Sequence, residues 1–167
     1  MAEQVAARGF GRICFIGGGA LASVAKESSL KVLEMTAGQV KTMSETVLGL
    51  RHGPMAALDA ETLFVCFVDS DERRAHYAKD LLQEIGAKRV VAERIAVGPQ
   101  SLEVELSPQC ERYLALSEDV ADVYRPALDV IFGQLLGLFS SVAHGMQPDS
   151  PSPGGVINRV VQKFRIY

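Results

Sequence analysis

The sequence predicts an α/β domain: a mainly parallel five-stranded sheet in a three-layer α/β/α sandwich. Three observations carry this. Short apolar runs alternate with helix-length stretches, the pattern of strand–helix–strand units. Residues 62–68 are apolar without interruption, as a strand covered on both faces must be. The run Gly17, Gly18, Gly19 directly follows the first apolar stretch and precedes a helical one.

Taken in order, residues 12–16 form the first strand. A helix from about Ala20 to Thr36 follows, with Gly38 as its stop. Residues 40–43 are a weaker second strand. His52, Gly53 and Pro54 break the chain, and Pro54 is placed to start a short helix over residues 55–58. After the strand at 62–68, the sequence Asp69, Ser70, Asp71 offers an N-cap for a helix over 72–85, which Gly86 is expected to end. Residues 89–92 are a candidate fourth strand and 102–106 a fifth. A long helix, apolar almost all round, runs from about Ala121 to His144 and is expected to be buried in the core or against a partner.

The chain has 167 residues, 48% hydrophobic and 22% charged, with 17 Lys and Arg against 20 Asp and Glu. That length suits a single domain over 1–167, with a lead-in at 1–11 and an irregular Pro- and Gly-rich tail at 147–167. A net charge of -3 argues against gripping nucleic acid by charge and favours a small molecule or another protein as partner. Residues 1–11 lack the apolar core of a secretory signal. The longest apolar stretch, 126–143, is interrupted by Asp129, Gln134, Ser140 and Ser141 and reads as short of a membrane span. Cys14, Cys66 and Cys110 have no metal-ligand spacing and read as buried thiols in a reducing compartment, which points to the cytoplasm. No metal and no cofactor are expected.

The glycine loop with Ala20, Leu21 and Ala22 fits G-x-G-x-x-[G/A], where backbone N–H groups meet a phosphate at a helix N-terminus. As a dinucleotide fingerprint it is incomplete. The acidic partner falls late, at Glu45, and no second mononucleotide-binding half follows. A tight turn explains the glycines equally, and Gly18 and Gly19 stay candidate anion-binding positions. Glu27, Lys31 and Glu34 lie at i, i+4 and i+7, so one helix face carries two carboxylates with a lysine able to bridge them. That is either a solvated charge stripe or a carboxylate base with a cationic neighbour near the carboxyl ends of the strands. A glutamate at a helix end would be made more basic by the dipole. Arg51 and His52 place an imidazole beside a guanidinium in a turn, as turn filler or as an acid–base group. His76 and His144 read as surface or capping residues.

The helix carrying Glu27, Lys31 and Glu34, followed by Gly49, Leu50, Arg51, His52, Gly53 and Pro54, resembles the second copy of the sugar isomerase (SIS) domain in two-domain sugar-phosphate enzymes. The same helix and turn occur in the isomerase half of glucosamine-6-phosphate synthase. The turn and the tail from Pro148 to Gln162 are more similar to the tagatose-6-phosphate ketose/aldose isomerase and galactosamine-6-phosphate deaminase group. The resemblance implies that Glu34 is the base moving a proton between C1 and C2, and that His52 opens the sugar ring. It also implies that Lys31 and Arg51 hold Glu34 or steady developing negative charge. It carries one departure. The hydroxyl-rich phosphate cradle of the family's first SIS copy corresponds here to Val68, Asp69, Ser70, Asp71, Glu72, Arg73 and Arg74, which would repel a phosphate. The synthase's C-terminal lysine falls near Gln162 and Lys163 and is not carried over.

The expectation is therefore the C-terminal SIS half of a hexose or hexosamine 6-phosphate isomerase or deaminase. It needs an N-terminal SIS half, or a homodimer partner in its place, to meet the apolar helix. The alternatives are a non-catalytic sugar-phosphate-binding regulatory or scaffold module and a nucleotide-binding domain. Membrane and nucleic acid are not expected partners.

Overall fold

The computed structural model describes residues 1–116, 120–152, 154–156 and 165. Strands β1 (Arg12–Gly17), β2 (Lys41–Thr46), β3 (Thr62–Phe67), β4 (Glu93–Pro99) and β5 (Arg112–Leu116) form one sheet in the order β2-β1-β3-β4-β5. Every pairing is parallel, with Arg12 opposite Lys41 on one side and Thr62 on the other. The helices are α1 (Ala2–Ala6), α2 (Leu21–Met35), α3 (Glu72–Lys88), α4 (Glu103–Leu106) and α5 (Pro126–Ala143). Two single turns of tighter helix cover Gly49–His52 and Pro54–Ala57, the second with Pro54 at its first position.

Alternate residues of the central strands feed two cores, because successive side chains of a strand point to opposite faces. Ile13, Phe15, Leu63, Val65, Phe67, Ile95 and Val97 pack under α1, α2 and α5. Cys14, Ile16, Phe64, Cys66 and Ala96 pack under α3 and Leu50. The three-layer α/β sandwich is as the sequence predicts.

Glycines set the approach of α2 to α5. A Cβ on Gly133 would run into Ser28, and one on Gly137 would press on the Lys31 backbone at 3.3 Å. The inner face of α5, Phe132, Gly133, Leu136, Gly137, Ser140 and Ser141, is buried. By length and composition alone the 18 residues of α5 are long and apolar enough to cross a membrane, so the sequence expectation is corrected there. Its packing on α1 and α2 makes it a core helix of the fold.

Five boundaries differ from expectation. The fourth strand is β4, not residues 89–92: Arg89 takes the left-handed cap of α3 (φ 52°, ψ 40°), and pairing with β3 starts at Glu93. Gly86 does not end α3, which runs on to Lys88. The bare Cα admits the Arg94 guanidinium, which donates to the Leu82 carbonyl at 3.1 Å. Residues 102–106 are helical, with Leu106 buried and Val104 outside, so the fifth strand is β5. The second strand starts at Lys41 and extends to Thr46, and α5 starts at Pro126 rather than near Ala121.

Candidate functional site

α2 carries the charged cluster on its outer face. The Lys31 ammonium donates to Glu34 Oε2 at 2.9 Å and stands 3.5 Å from Glu27 Oε1, so the bridge read from the i, i+4, i+7 spacing forms. The hydrogen bond to Glu34 holds the Lys31 amine above its ordinary pKa; burial opposes it, and the charges of Glu34 and Glu27 add to the rise. Lysine and both carboxylates are half-exposed, open to a ligand or a covering surface.

The position of this cluster corrects one expectation. α2 runs back along the sheet, and Glu34 is its penultimate residue, seven positions before Lys41 enters β2 beside Arg12. Glu34 therefore stands at the amino ends of the strands, not at their carboxyl ends. Gly18 and Gly19 stand at the other end of α2, about 20 Å away at 1.5 Å per residue.

Arg51 and His52 lie in the other layer. Leu50 beside them is buried in the α3 core, and Arg51 Nε donates to Glu84 Oε2 of α3 at 2.8 Å. Lys88 also donates to Glu84, and together with Arg51 it holds that carboxyl below its usual range. Arg51 is thus paired with Glu84 and not with Glu34. His52 is exposed, and Gly53 after it has φ 131°, a backbone open to glycine alone. Glu34 and His52 project from opposite faces of the sheet.

The glycine loop borders a cavity of 160 Å³ with Thr46, Leu48, Asp69, Arg74 and Tyr77. Gly19 has φ 51° and sits against the Asp69–Arg74 pair. The segment that corresponds to the phosphate cradle is closed by its own charges. Arg74 Nε and Nη2 donate to the buried Asp69 carboxylate at 2.8 and 2.9 Å. The Ser70 hydroxyl and amide donate to Asp122 Oδ2 at 2.7 and 3.1 Å, so a carboxylate of the chain occupies the donors that a phosphate would need.

Sequence reasoning missed the network behind this loop. Arg125, at 2% exposure, donates to the Val68 carbonyl, to Asp122 and, at 2.8 Å, to Asp129 Oδ2. Burial pushes the Asp129 carboxyl up to about 6, against the pull of Arg125 and with the repulsion of Asp122 and Asp69. Burial also opposes ionisation of Asp122, but hydrogen bonding with Asp69 and Ser70 and the Arg125 charge bring it down to about 2. Asp122, Arg125 and Asp129 stand at i, i+3 and i+7 where the apolar run begins, and that spacing is the signal the sequence offered.

All three cysteines are free and buried, and burial pushes the Cys14 and Cys66 thiols up to about 12. Among the described residues no group of acidic, histidine or cysteine side chains is arranged to hold a metal. His144 accepts its capping role, with Nδ1 2.8 Å from the Ser140 carbonyl oxygen. Gln162 and Lys163 lie outside the described residues.

No family model matches the sequence. D-galactosamine-6-phosphate deaminase AgaS of Escherichia coli is 36% identical over 156 residues, covering 93% of this chain and 40% of that protein. The crystal structure of tagatose-6-phosphate ketose/aldose isomerase from Escherichia coli superposes with a TM-score of 0.78 and 33% identity, over 93% of this chain and 41% of that one. A protein assigned as the same isomerase in Clostridium novyi NT superposes with a TM-score of 0.84 and 30% identity, over 99% of this chain and 43% of that one. The chain spans about 40% of the length of the curated relatives it matches. With the parallel five-stranded sheet and the E-x-x-x-K-x-x-E helix, these matches support an SIS-type sugar isomerase family for this chain.

Proposed function

We propose that the chain is the C-terminal SIS domain of an isomerase or deaminase that acts on a hexose or hexosamine 6-phosphate. The single observation that carries this is the Glu27–Lys31–Glu34 cluster, formed and open on α2, in a chain 36% identical to a galactosamine-6-phosphate deaminase. Interconverting an aldose and a ketose requires a proton to leave one carbon and return to its neighbour. A carboxylate with a cation at hydrogen-bond distance suits both steps: it takes the proton, and the ammonium steadies negative charge on the adjacent oxygen. In this reading Glu34 is the base, Lys31 its cationic partner, and His52 the group that opens the ring. For an amino sugar the same proton transfer precedes loss of ammonia.

The phosphate has to be held elsewhere. Asp69, Asp71 and Asp122 crowd the loop after β3, and Gly18 and Gly19 sit at the far end of α2 from Glu34. We assign the phosphate grip to a second SIS half, with a homodimer partner as the substitute. Because Glu34 and His52 face opposite ways, a site that uses both draws on more than this one domain. The three buried thiols suit the cytoplasm. The second reading, a non-catalytic sugar-phosphate module, is favoured by one observation, the self-closed acidic loop.

The test is activity of this chain assembled with an N-terminal SIS half. Release of ammonia from galactosamine 6-phosphate, or formation of ketose from an aldose 6-phosphate, is the expected result. Sugar-phosphate binding without turnover supports the module instead.

A further inference from the structure

The strand order reverses between β1 and β3. β1 leads into α2 on one face of the sheet, and β3 leads into α3 on the other. The loops that leave these neighbouring strands therefore part, and a crevice opens beyond their carboxyl ends, the place where open α/β sheets bind ligands. The 160 Å³ cavity lies there, bordered by Gly18 and Gly19 after β1, Thr46 at the end of β2 and Asp69 after β3. It is at the opposite end of α2 from Glu34, and the proton transfer described above makes no use of it.

The cavity is mostly apolar, with one polar group of each sign. Val47, Leu48 and Phe67 supply walls, and Tyr77 supplies a half-exposed aromatic ring. The polar pair is Asp69, a carboxylate at 4% exposure, and Arg74. A Cβ on Gly19 would stand 3.5 Å from Asp69 Oδ2 and 3.6 Å from Arg74 Nε, so the bare Cα leaves room beside the pair. Arg74 spends Nε and Nη2 on Asp69, and its Nη1 has no partner among the described residues.

These features select a ligand. A phosphate dianion is refused, because Asp69 stands at the cavity with Asp122 hydrogen-bonded to it. The volume is below the ~300–1,000 Å³ of pockets for drug-sized molecules, so it suits one ring and not a dinucleotide. An acceptor and a donor side by side suit neighbouring hydroxyls, since each hydroxyl both donates and accepts. The apolar walls and the Tyr77 ring suit a face of C–H groups. A pyranose carries both, hydroxyls around its edge and C–H groups on its face.

We propose that this cavity is a second sugar site, one that takes an unphosphorylated hexose, with adjacent hydroxyls on Asp69 and Arg74 and the ring against Tyr77. It is independent of the reading of Glu34 as a base.

The test is titration of the ¹⁵N-labelled 167-residue chain with D-galactose, followed through its amide resonances. Galactose is expected to shift the amides of Gly18, Gly19, Asp69 and Tyr77 saturably and to leave those of Lys31 and Glu34 in place. Sorbitol, whose hydroxyls lie on an open chain without a ring face, is expected to bind there at least about fivefold more weakly. Galactose 6-phosphate is expected to bind there at least about tenfold more weakly, through repulsion by Asp69. Tyr77→Ala, at a half-exposed position that should leave the melting temperature unchanged, is expected to weaken galactose at least about fivefold. Five results would overturn the proposal: no saturable shift at these amides, shifts centred on Lys31 and Glu34 in their place, sorbitol or galactose 6-phosphate binding as well as galactose, adenosine binding there more tightly than galactose, or a Tyr77→Ala variant that binds as the parent does. The readout is binding at the far end of α2 and not turnover. A loss of this site therefore leaves the catalytic reading standing, and the reverse holds too.

Discussion

Glu34 and His52 lie on opposite faces of one parallel sheet, the first on α2 and the second in the turn that packs with α3. Seventeen residues of chain pass between them, through the β2 edge. If each serves a different step, their losses separate. His52→Asn in the assembled protein is expected to slow turnover of the closed-ring substrate and to spare an open-chain analogue, by the ~10²–10⁴-fold typical of one acid–base group. Comparison of kcat/KM on the two substrates checks this, and equal losses on both would remove the ring-opening role. Because His52 is exposed, its melting temperature should match that of the parent.

The α2–α5 crossing depends on two missing side chains. Gly133→Ala drives a methyl group into Ser28, whose Cα would stand 3.0 Å from the new Cβ. The helices must separate, and overpacking of this kind costs about 1–3 kcal/mol. Urea unfolding should show that loss in the midpoint with little change of slope. An unchanged midpoint would mean that the crossing is looser than described.

Asp129 gives stability a pH dependence of unusual sign. Its folded pKa is raised from 3.8 to about 6, so between about 4 and 6 the folded state binds the proton more tightly than the unfolded state. Its contribution is complete below about 4 and is lost as pH rises through 6, a fall of roughly 3 kcal/mol for two pKa units. Asp122, lowered to about 2, acts in a separate window: its contribution holds above about 4 and is lost as pH falls through 2. The groups facing Asp129 are Arg125, Asp122 and Asp69. Urea midpoints of the parent and of Asp129→Asn, measured from pH 4 to 7, should diverge, with the decline only in the parent. Parallel profiles would contradict the raised pKa.

Much of this architecture was readable from the sequence, because most elements obey a local rule. The uninterrupted apolar run at β3, the glycines after β1 and Asp71, whose side chain accepts from the Arg74 amide at 3.0 Å, each announce an element or its boundary. β4 was hidden because it opens on Glu93 and Arg94. Glu93 is 2% exposed, and it is tolerated only because Arg8 and Arg112 arrive from elements distant in sequence. The alternation of Leu102, Val104 and Leu106 imitated a strand, yet Val104 is 88% exposed, since those residues form a helical turn that buries Leu106 alone.

The site was legible in part for the same reason. The Lys31 bridge is local to one helix and follows from spacing. The partnership of Arg51 with Glu84 joins residues 33 apart and cannot be read from spacing. The end of the sheet at which Glu34 stands depends on the direction of α2, a consequence of the fold as a whole.

The measurement that bears most directly on the central claim is proton exchange at C2 of the sugar phosphate in deuterated water, with Glu34→Gln in the assembled protein. The account predicts that exchange falls by at least about 10²-fold while substrate binding is kept, because the amide preserves shape and removes the base. Exchange at the parent rate in that variant would contradict it.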